Sequence, residues 1–221
     1  MKLTVFAATG GIGRRIVDLA LDAGHEVTAV ARNPRDLPAA VRAVRADLSA
    51  ADPAALESAV AGADAVLSGL GWRSRSDAGI AVKGTGAIVA AMRTTGVRRV
   101  VVVSASPVAT VASPGRPSPP KYDPGDGFVV RTVLAPFMKS LLRKPYQDLA
   151  LMEDVLRDSG LEWTVVRPPR LLNKPVTGRY RVAYGHNVRH GMSIGRADVA
   201  HLMLRTVDDP DSVRQTVGVA Y

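Results

Sequence analysis

Thr9-Gly10-Gly11-Ile12-Gly13 lies between an apolar, branched run, Lys2-Leu-Thr-Val-Phe-Ala-Ala, and a stretch with helical periodicity. Glycines at such a turn let the backbone approach a pyrophosphate, whose charge is held by free N–H groups at the helix start. Ala8 occupies the first position of the G-x-G-x-x-G spacing when Gly10 and Gly13 supply the other two; in the longer G-x-x-G-x-x-G spacing the first position is Ala7. Downstream, Arg32-Asn33-Pro34-Arg35 stands where an acidic residue would accept hydrogen bonds from an adenosine ribose. Guanidinium groups there suit a 2′-phosphate, through charge-assisted and often bidentate bonds. The chemistry expected of these residues is binding of NADP(H) in preference to NAD(H).

Further along the chain, four strand exits offer groups to the same ligand. Asp47 and Leu48 follow a short strand over residues 41–46 and can border an adenine, although Asp47 serves equally as a turn residue. Gly69-Leu70-Gly71 is a small-residue exit that permits close approach to the middle of a dinucleotide. Trp72, with Arg73 and Arg75, either caps the cofactor, faces a planar anionic substrate, or packs on a loop. Ser104-Ala105 follows the run Val97-Arg-Arg-Val-Val-Val-Val103, placing a hydroxyl to meet a substrate carbonyl beside a nicotinamide or to serve as a turn or cap. Pro168 and Pro169 make a rigid exit suited to walling the nicotinamide end.

The elements that position these groups follow from periodicity. Ile12, Ile16, Leu19, Ala20 and Ala23 share a helix face, Gly24 ends that helix, and Glu26-Val-Thr-Ala-Val-Ala31 reads as the second strand. Helices are expected over 52–61, capped by Asp52 and Pro53, over 77–95, over 147–159 and over 193–206. In the third of these, Leu149, Met152, Val155 and Leu156 point inward while Asp148, Asp154, Arg157 and Asp158 face water. Strands are expected over 63–71, 97–103, 161–167, 178–184 and 214–219; the valine run suits a parallel sheet covered on both faces. Residues 107–127, rich in proline, glycine and serine, read as a lid or mobile loop, and 128–142 as a short helix or packed loop that sets specificity. The fold class is α/β, a doubly wound parallel Rossmann sheet with a small C-terminal extension, in one domain over 1–221 whose substrate side comes from 107–146 and 170–195.

The 221 residues are 47% hydrophobic, without an apolar run long enough for a bilayer, so a soluble, cytoplasmic protein with no membrane partner is expected. The absence of cysteine excludes disulfides, thiolate catalysis and cysteine-ligated metal. The net charge of +9 is dispersed among few aromatics; it suits anionic cofactors and substrates rather than nucleic acid, which is not expected as a partner. His186 and His190 lack accompanying acidic ligands, so no metal is expected.

The glycine turn, Arg32, Ser104-Ala105, Leu156-Arg157-Asp158-Ser159-Gly160 and Val166-Arg167-Pro168-Pro169 together resemble the atypical short-chain dehydrogenase/reductases. The likeness is strongest to the biliverdin reductase B and NADPH-dependent flavin reductase group and extends more broadly to NmrA-like proteins; it covers nearly the whole chain. The resemblance implies that residues Thr9, Gly10, Gly11, Ile12 and Gly13 cradle pyrophosphate and that Arg32 and Arg35 meet the ribose phosphate. It further implies that Asp47 and Leu48 border adenine, with Gly69, Ser104 and Ala105 bordering the nicotinamide ribose and ring.

A serine of the flavin-reducing relatives matches Ser104, whereas their histidine is replaced here by Glu153. The tyrosine and lysine of classical members are not both present, since Tyr146 is followed four residues later by Ala150. Proton delivery to a ketone would lack its usual donor, while a flavin or quinone accommodates hydride in a conjugated ring. The expected activity is NADPH-dependent reduction of a small, flat conjugated molecule by a monomer or homodimer. Ser104 would bond the acceptor or the carboxamide, with Glu153 and Tyr146 orienting it or relaying a proton. The alternatives are an NmrA-like redox sensor without turnover and an isomerase or epimerase.

Overall fold

The computed structural model describes residues 1–72, 77–127 and 142–221. Its opening runs β1 (Lys2–Phe6), α1 (Gly13–Asp22), β2 (Glu26–Ala31), β3 (Arg42–Arg45), α2 (Pro53–Val60), β4 (Ala65–Ser68), α3 (Ile80–Thr95) and β5 (Arg99–Val103). It continues through α4 (Arg143–Arg157), β6 (Glu162–Arg167), β7 (Arg170–Leu172), β8 (Arg181–Tyr184), β9 (Ser193–Gly195), α5 (Arg196–Arg205) and β10 (Gln215–Ala220). The large sheet has the order β3-β2-β1-β4-β5-β6-β10-β8; it is parallel throughout except for β8, which runs against β10. A small parallel sheet pairs β7 with β9. Because the chain leaves β1 toward β2 and β3 and returns on the other side at β4, strand order reverses between β1 and β4, the position where α/β sheets open a crevice.

Branched residues on both faces of the strands explain why both faces are covered. Ile16 and Val17 of α1 and Val199 and Met203 of α5 pack on one side, against Val5, Leu67 and Val101. On the other side, Leu56 of α2, Ile88 and Met92 of α3, and Met152 and Leu156 of α4 pack against Val66, Val100 and Val102. Every residue of β5 is buried, as its valine run requires.

Several boundaries and faces differ from the sequence expectation. Gly79 takes a left-handed φ of 78°, so α3 begins at Ile80 rather than at 77. The Asp148 carboxylate accepts from the Ala81 and Val82 amides at 3.0 Å each and takes over the capping of α3. Asp148 and Asp154 are therefore buried, not solvated: Asp154 accepts from Ser113 Oγ at 2.9 Å and the Gly115 amide at 3.0 Å. These bonds tie the start of the 107–127 stretch to α4. Farther along, Asp123 accepts from the Asn187 amide at 2.9 Å, so its end is tied as well, which is not the arrangement of a free lid. Helix α4 starts at Arg143, with Pro145 tolerated in its first turn. Ala23 is exposed and Val17 takes its place on the buried face of α1. Ser193 does not start a helix; residues Ser193–Gly195 pair with β7, and α5 follows at Arg196. The specificity segment expected over 128–142 lies outside the described residues up to 141, as do Arg73 and Arg75.

Candidate functional site

A crevice of about 620 Å³ opens at the carboxyl ends of the strands around the β1/β4 switch point. The turn that forms its floor is held by the Gly10 amide donating to the Ala7 carbonyl at 2.8 Å and the Ala8 amide to the Val30 carbonyl at 3.1 Å. Ala7 adopts φ 55°, the left-handed conformation for which glycine is the usual residue. This resolves the spacing: Ala7, Gly10 and Gly13 form the longer turn, with alanine at its first position. A methyl group on Gly13 would lie 2.2 Å from the Ala7 carbonyl oxygen, so Gly13 is needed where α1 crosses β1. Helix α1 starts without a side-chain cap and without an acid in its first turn, leaving its amide end to a ligand.

Thr9, Gly10, Gly11 and Ile12 line the crevice, and Gly13 supports it from beneath. At one end lie Arg32, Asp47 and Leu48; Gly69, Leu70 and the 40%-exposed Trp72 lie along one wall. The Arg32 guanidinium stands 3.9 Å from the Asp77 carboxylate with most of its side chain exposed. Arg35 is exposed and stands outside the residues that line the crevice, three positions beyond Arg32. The Asp47 carboxyl is held below the usual aspartate range chiefly by the Ser49 amide and hydroxyl, so its turn role and its place in the wall coexist.

A second cavity, of about 640 Å³, shares Leu142, Tyr146, Leu171 and Arg196 with the first as a common wall. Ala105 and Pro168 border this second cavity and not the crevice: Ala105 lies one residue beyond Ser104 at the exit of β5, and Pro168 follows the end of β6. Its apolar surface includes Val188 and Met192, and its basic side chains include Arg170 and His190. Tyr146 is buried between the cavities, and burial pushes its phenol above the usual tyrosine pKa.

Ser104 borders the crevice, but Glu153 borders neither cavity. The Glu153 side chain is 1% exposed behind Ser104, receiving the Ser104 hydroxyl at 2.8 Å and the Arg167 guanidinium through both of its oxygens. Glu153 therefore reaches the crevice only through the Ser104 hydroxyl.

Arg196 was not evident as a site residue in the sequence. Its Cδ and Nε lie where a methyl group on Gly11 would approach to 3.0 Å, so the side chain rests over the phosphate-type turn while Nη1 donates to Asn173 Oδ1 at 2.6 Å. Only the packing of α5 beside α1 brings these together, and local periodicity carries no signal for it.

Residues 7–210 match the NAD(P)H-binding family. The chain belongs to that family. The cradle of this NAD(P)H-binding protein fits the group: a glycine turn at an uncapped helix start, an exposed arginine at one end and a crevice that runs along the strand exits between them. Over 105 residues it is 37% identical to an uncharacterized Mycobacterium tuberculosis protein, a match covering 47% of this chain but 12% of that relative's length. An uncharacterized sugar epimerase of Bacillus subtilis, YhfK, is 28% identical over 96% of this chain and 90% of its own. Among solved structures, a Burkholderia pseudomallei protein is 30% identical, with TM-score 0.70 and all of each chain covered. A Veillonella parvula short-chain dehydrogenase/reductase in complex with NADP shares the fold, with TM-score 0.77 and 20% identity over 100% of this chain and 94% of its own.

Proposed function

We propose that this protein is an NADPH-dependent reductase acting on a flat conjugated acceptor such as a flavin, a quinone or a related aromatic metabolite. The observation that carries this reading is the shared wall of Leu142, Tyr146, Leu171 and Arg196, which sets an apolar-walled cavity directly beside the cofactor crevice. Preference for NADPH is supported by Arg32 at the crevice end and by the NADP found in the Veillonella neighbour.

The cofactor's chemistry, when bound, is hydride donation. The chain's own contribution is to bind, orient and shelter. Leu171, Pro168 and Val188 supply apolar walls that exclude water from the acceptor side. Tyr146, a phenol made less acidic by burial, stands at the joint as a hydrogen-bond donor that orients the acceptor, whose proton comes from solvent. Ala150 takes the place of the lysine that assists tyrosine in ketone reduction, which favours acceptors that need no strong acid.

An epimerase reading is favoured by the similarity to YhfK, and an NmrA-like sensor by the missing lysine. The test is oxidation of NADPH and NADH by purified protein with flavin mononucleotide, riboflavin, biliverdin and several quinones, with dinucleotide binding followed by fluorescence. Acceptor-dependent oxidation preferring NADPH supports the proposal. Tight binding without net oxidation favours the epimerase or sensor, and binding of neither dinucleotide overturns the cofactor assignment.

A further inference from the structure

Ser104 is held from two sides. Its backbone amide donates to the Val166 carbonyl at 2.8 Å, which joins the end of β5 to β6. Its hydroxyl donates to Glu153 Oε1 at 2.8 Å. The same Oε1 accepts from Arg167 Nε at 2.9 Å; Oε2 accepts from Arg167 Nη2, with Arg157 Nη1 at 3.5 Å. Glu153 and Arg167 are 1% and 4% exposed, so this pairing is shielded from water. An ionised carboxylate accepts hydrogen bonds and donates none, and a serine hydroxyl carries a single hydrogen. That hydrogen is committed to a charge-assisted bond, stronger than a neutral alternative in the crevice. What Ser104 offers the crevice is its lone pairs.

We propose that Glu153 and Arg167 are positioning residues that hold Ser104 as a hydrogen-bond acceptor toward the crevice, and that the donor it receives is the carboxamide amino group of the nicotinamide. Ser104 borders the crevice and not the second cavity, which assigns the contact to the cofactor rather than to the acceptor. This inference rests on the NADPH reading. It assigns Ser104 a role opposite to that of a hydroxyl that polarises a substrate carbonyl, and it makes the buried ion pair, whose Glu153 borders neither cavity while Arg167 borders the second, a determinant of how the nicotinamide is held.

The test is calorimetric binding, without turnover, of NADPH and of its reduced 3-acetylpyridine analogue, in which a methyl group replaces the carboxamide amino group. Wild-type protein is expected to bind the analogue roughly fivefold more weakly, the worth of one neutral hydrogen bond. In Ser104→Ala, affinity for NADPH is expected to fall to the analogue's level and the preference to vanish. The paired variant Glu153→Met with Arg167→Met replaces the ion pair by apolar side chains, a change that buried pairs tolerate better than loss of one partner. There the freed hydroxyl can turn and donate to the analogue's remaining carbonyl, so the preference is expected to shrink while NADPH still binds. Equal binding of the two dinucleotides by wild type, or a preference that survives Ser104→Ala, overturns the contact. An unchanged preference in the paired variant overturns the positioning role. Failure of wild type to bind either dinucleotide overturns the NADPH reading itself and is thereby distinguished from both.

Discussion

Gly69 and Gly13 meet backbone to backbone: a methyl group on Gly69 would lie 2.7 Å from the Gly13 amide nitrogen and 3.0 Å from its Cα. The exit of β4 is thus pressed onto the first residue of α1, and neither side can yield by rotating a side chain. Gly69→Ala is expected to push the turn away from the switch point, destabilising the fold by about 1–3 kcal/mol and weakening NADPH binding by roughly tenfold or more. Gly86→Ala in α3 is the control, because a methyl group there meets nothing within 4 Å and Gly86 does not border the crevice. Urea unfolding and dinucleotide titration on both variants check the contrast; equal behaviour would refute the close-packing argument.

Ala7 supplies the second expectation. Its φ of 55° costs an alanine about 1–2 kcal/mol relative to the right-handed region. Ala7→Gly should remove that strain, offset in part by the greater freedom of glycine in the unfolded chain, for a net gain of about 1 kcal/mol. The sign is the informative result: a loss of stability would mean that the Ala7 methyl group contributes packing worth more than the backbone strain.

These first two positions also mark what was legible in the sequence. The order of strand, glycine turn and helix is local, and so is the Asp52 cap, whose carboxylate accepts from the Ala54 amide at 3.0 Å. Both could be read from neighbours along the chain. The burial of Asp148, Asp154 and Glu153 could not: acidic residues on a helix are ordinarily solvated, and each of these is buried by a partner far away in sequence, on α3, on the 113–115 turn, or at Ser104 and on β6. Arg196 was hidden for the same reason, since its relation to Gly11 exists only once α5 lies beside α1. The start of α5 was misplaced because Ser193 resembles a cap, while its pairing opposite Arg170 is a tertiary event. Local chemistry thus gave the cradle, and the long-range polar partners behind Ser104 emerged only from packing.

Arg196 borders both cavities and overlies Gly11, which makes it a cation beside the phosphate turn. Arg196→Ala is expected to weaken NADPH binding by roughly tenfold, through loss of charge-assisted bonds, with little effect on unfolding. The loss should diminish at high salt, where the charge is screened in wild type as well. Lysine keeps the charge but not the planar fork, so Arg196→Lys should restore affinity only in part. Titrations of the three proteins at low and high ionic strength measure this; unchanged affinity in Arg196→Ala would remove the residue from the cofactor site.

Asp198 fastens the segment that leads out of the site. It is buried in α5 and accepts from the Tyr221 hydroxyl at 2.7 Å, the Thr177 amide at 2.8 Å, the Thr177 hydroxyl at 2.9 Å and the Gly178 amide at 2.9 Å. Burial alone would push its carboxyl upward, but the bonds from Tyr221, Thr177 and Gly178 outweigh it and leave the folded-state pKa below the ordinary 3.8. A depressed folded-state value means that the unfolded chain takes up the proton first as pH falls. The stabilisation is therefore complete above the unfolded value and is lost as pH drops from about 4 through the folded-state pKa. Asp198→Asn should destabilise at pH 7, because an amide cannot serve four donors, and should flatten the decline in stability below pH 4. Urea midpoints between pH 7 and pH 2.5 test both effects. A variant that keeps the wild-type acid slope would show that other carboxylates carry it.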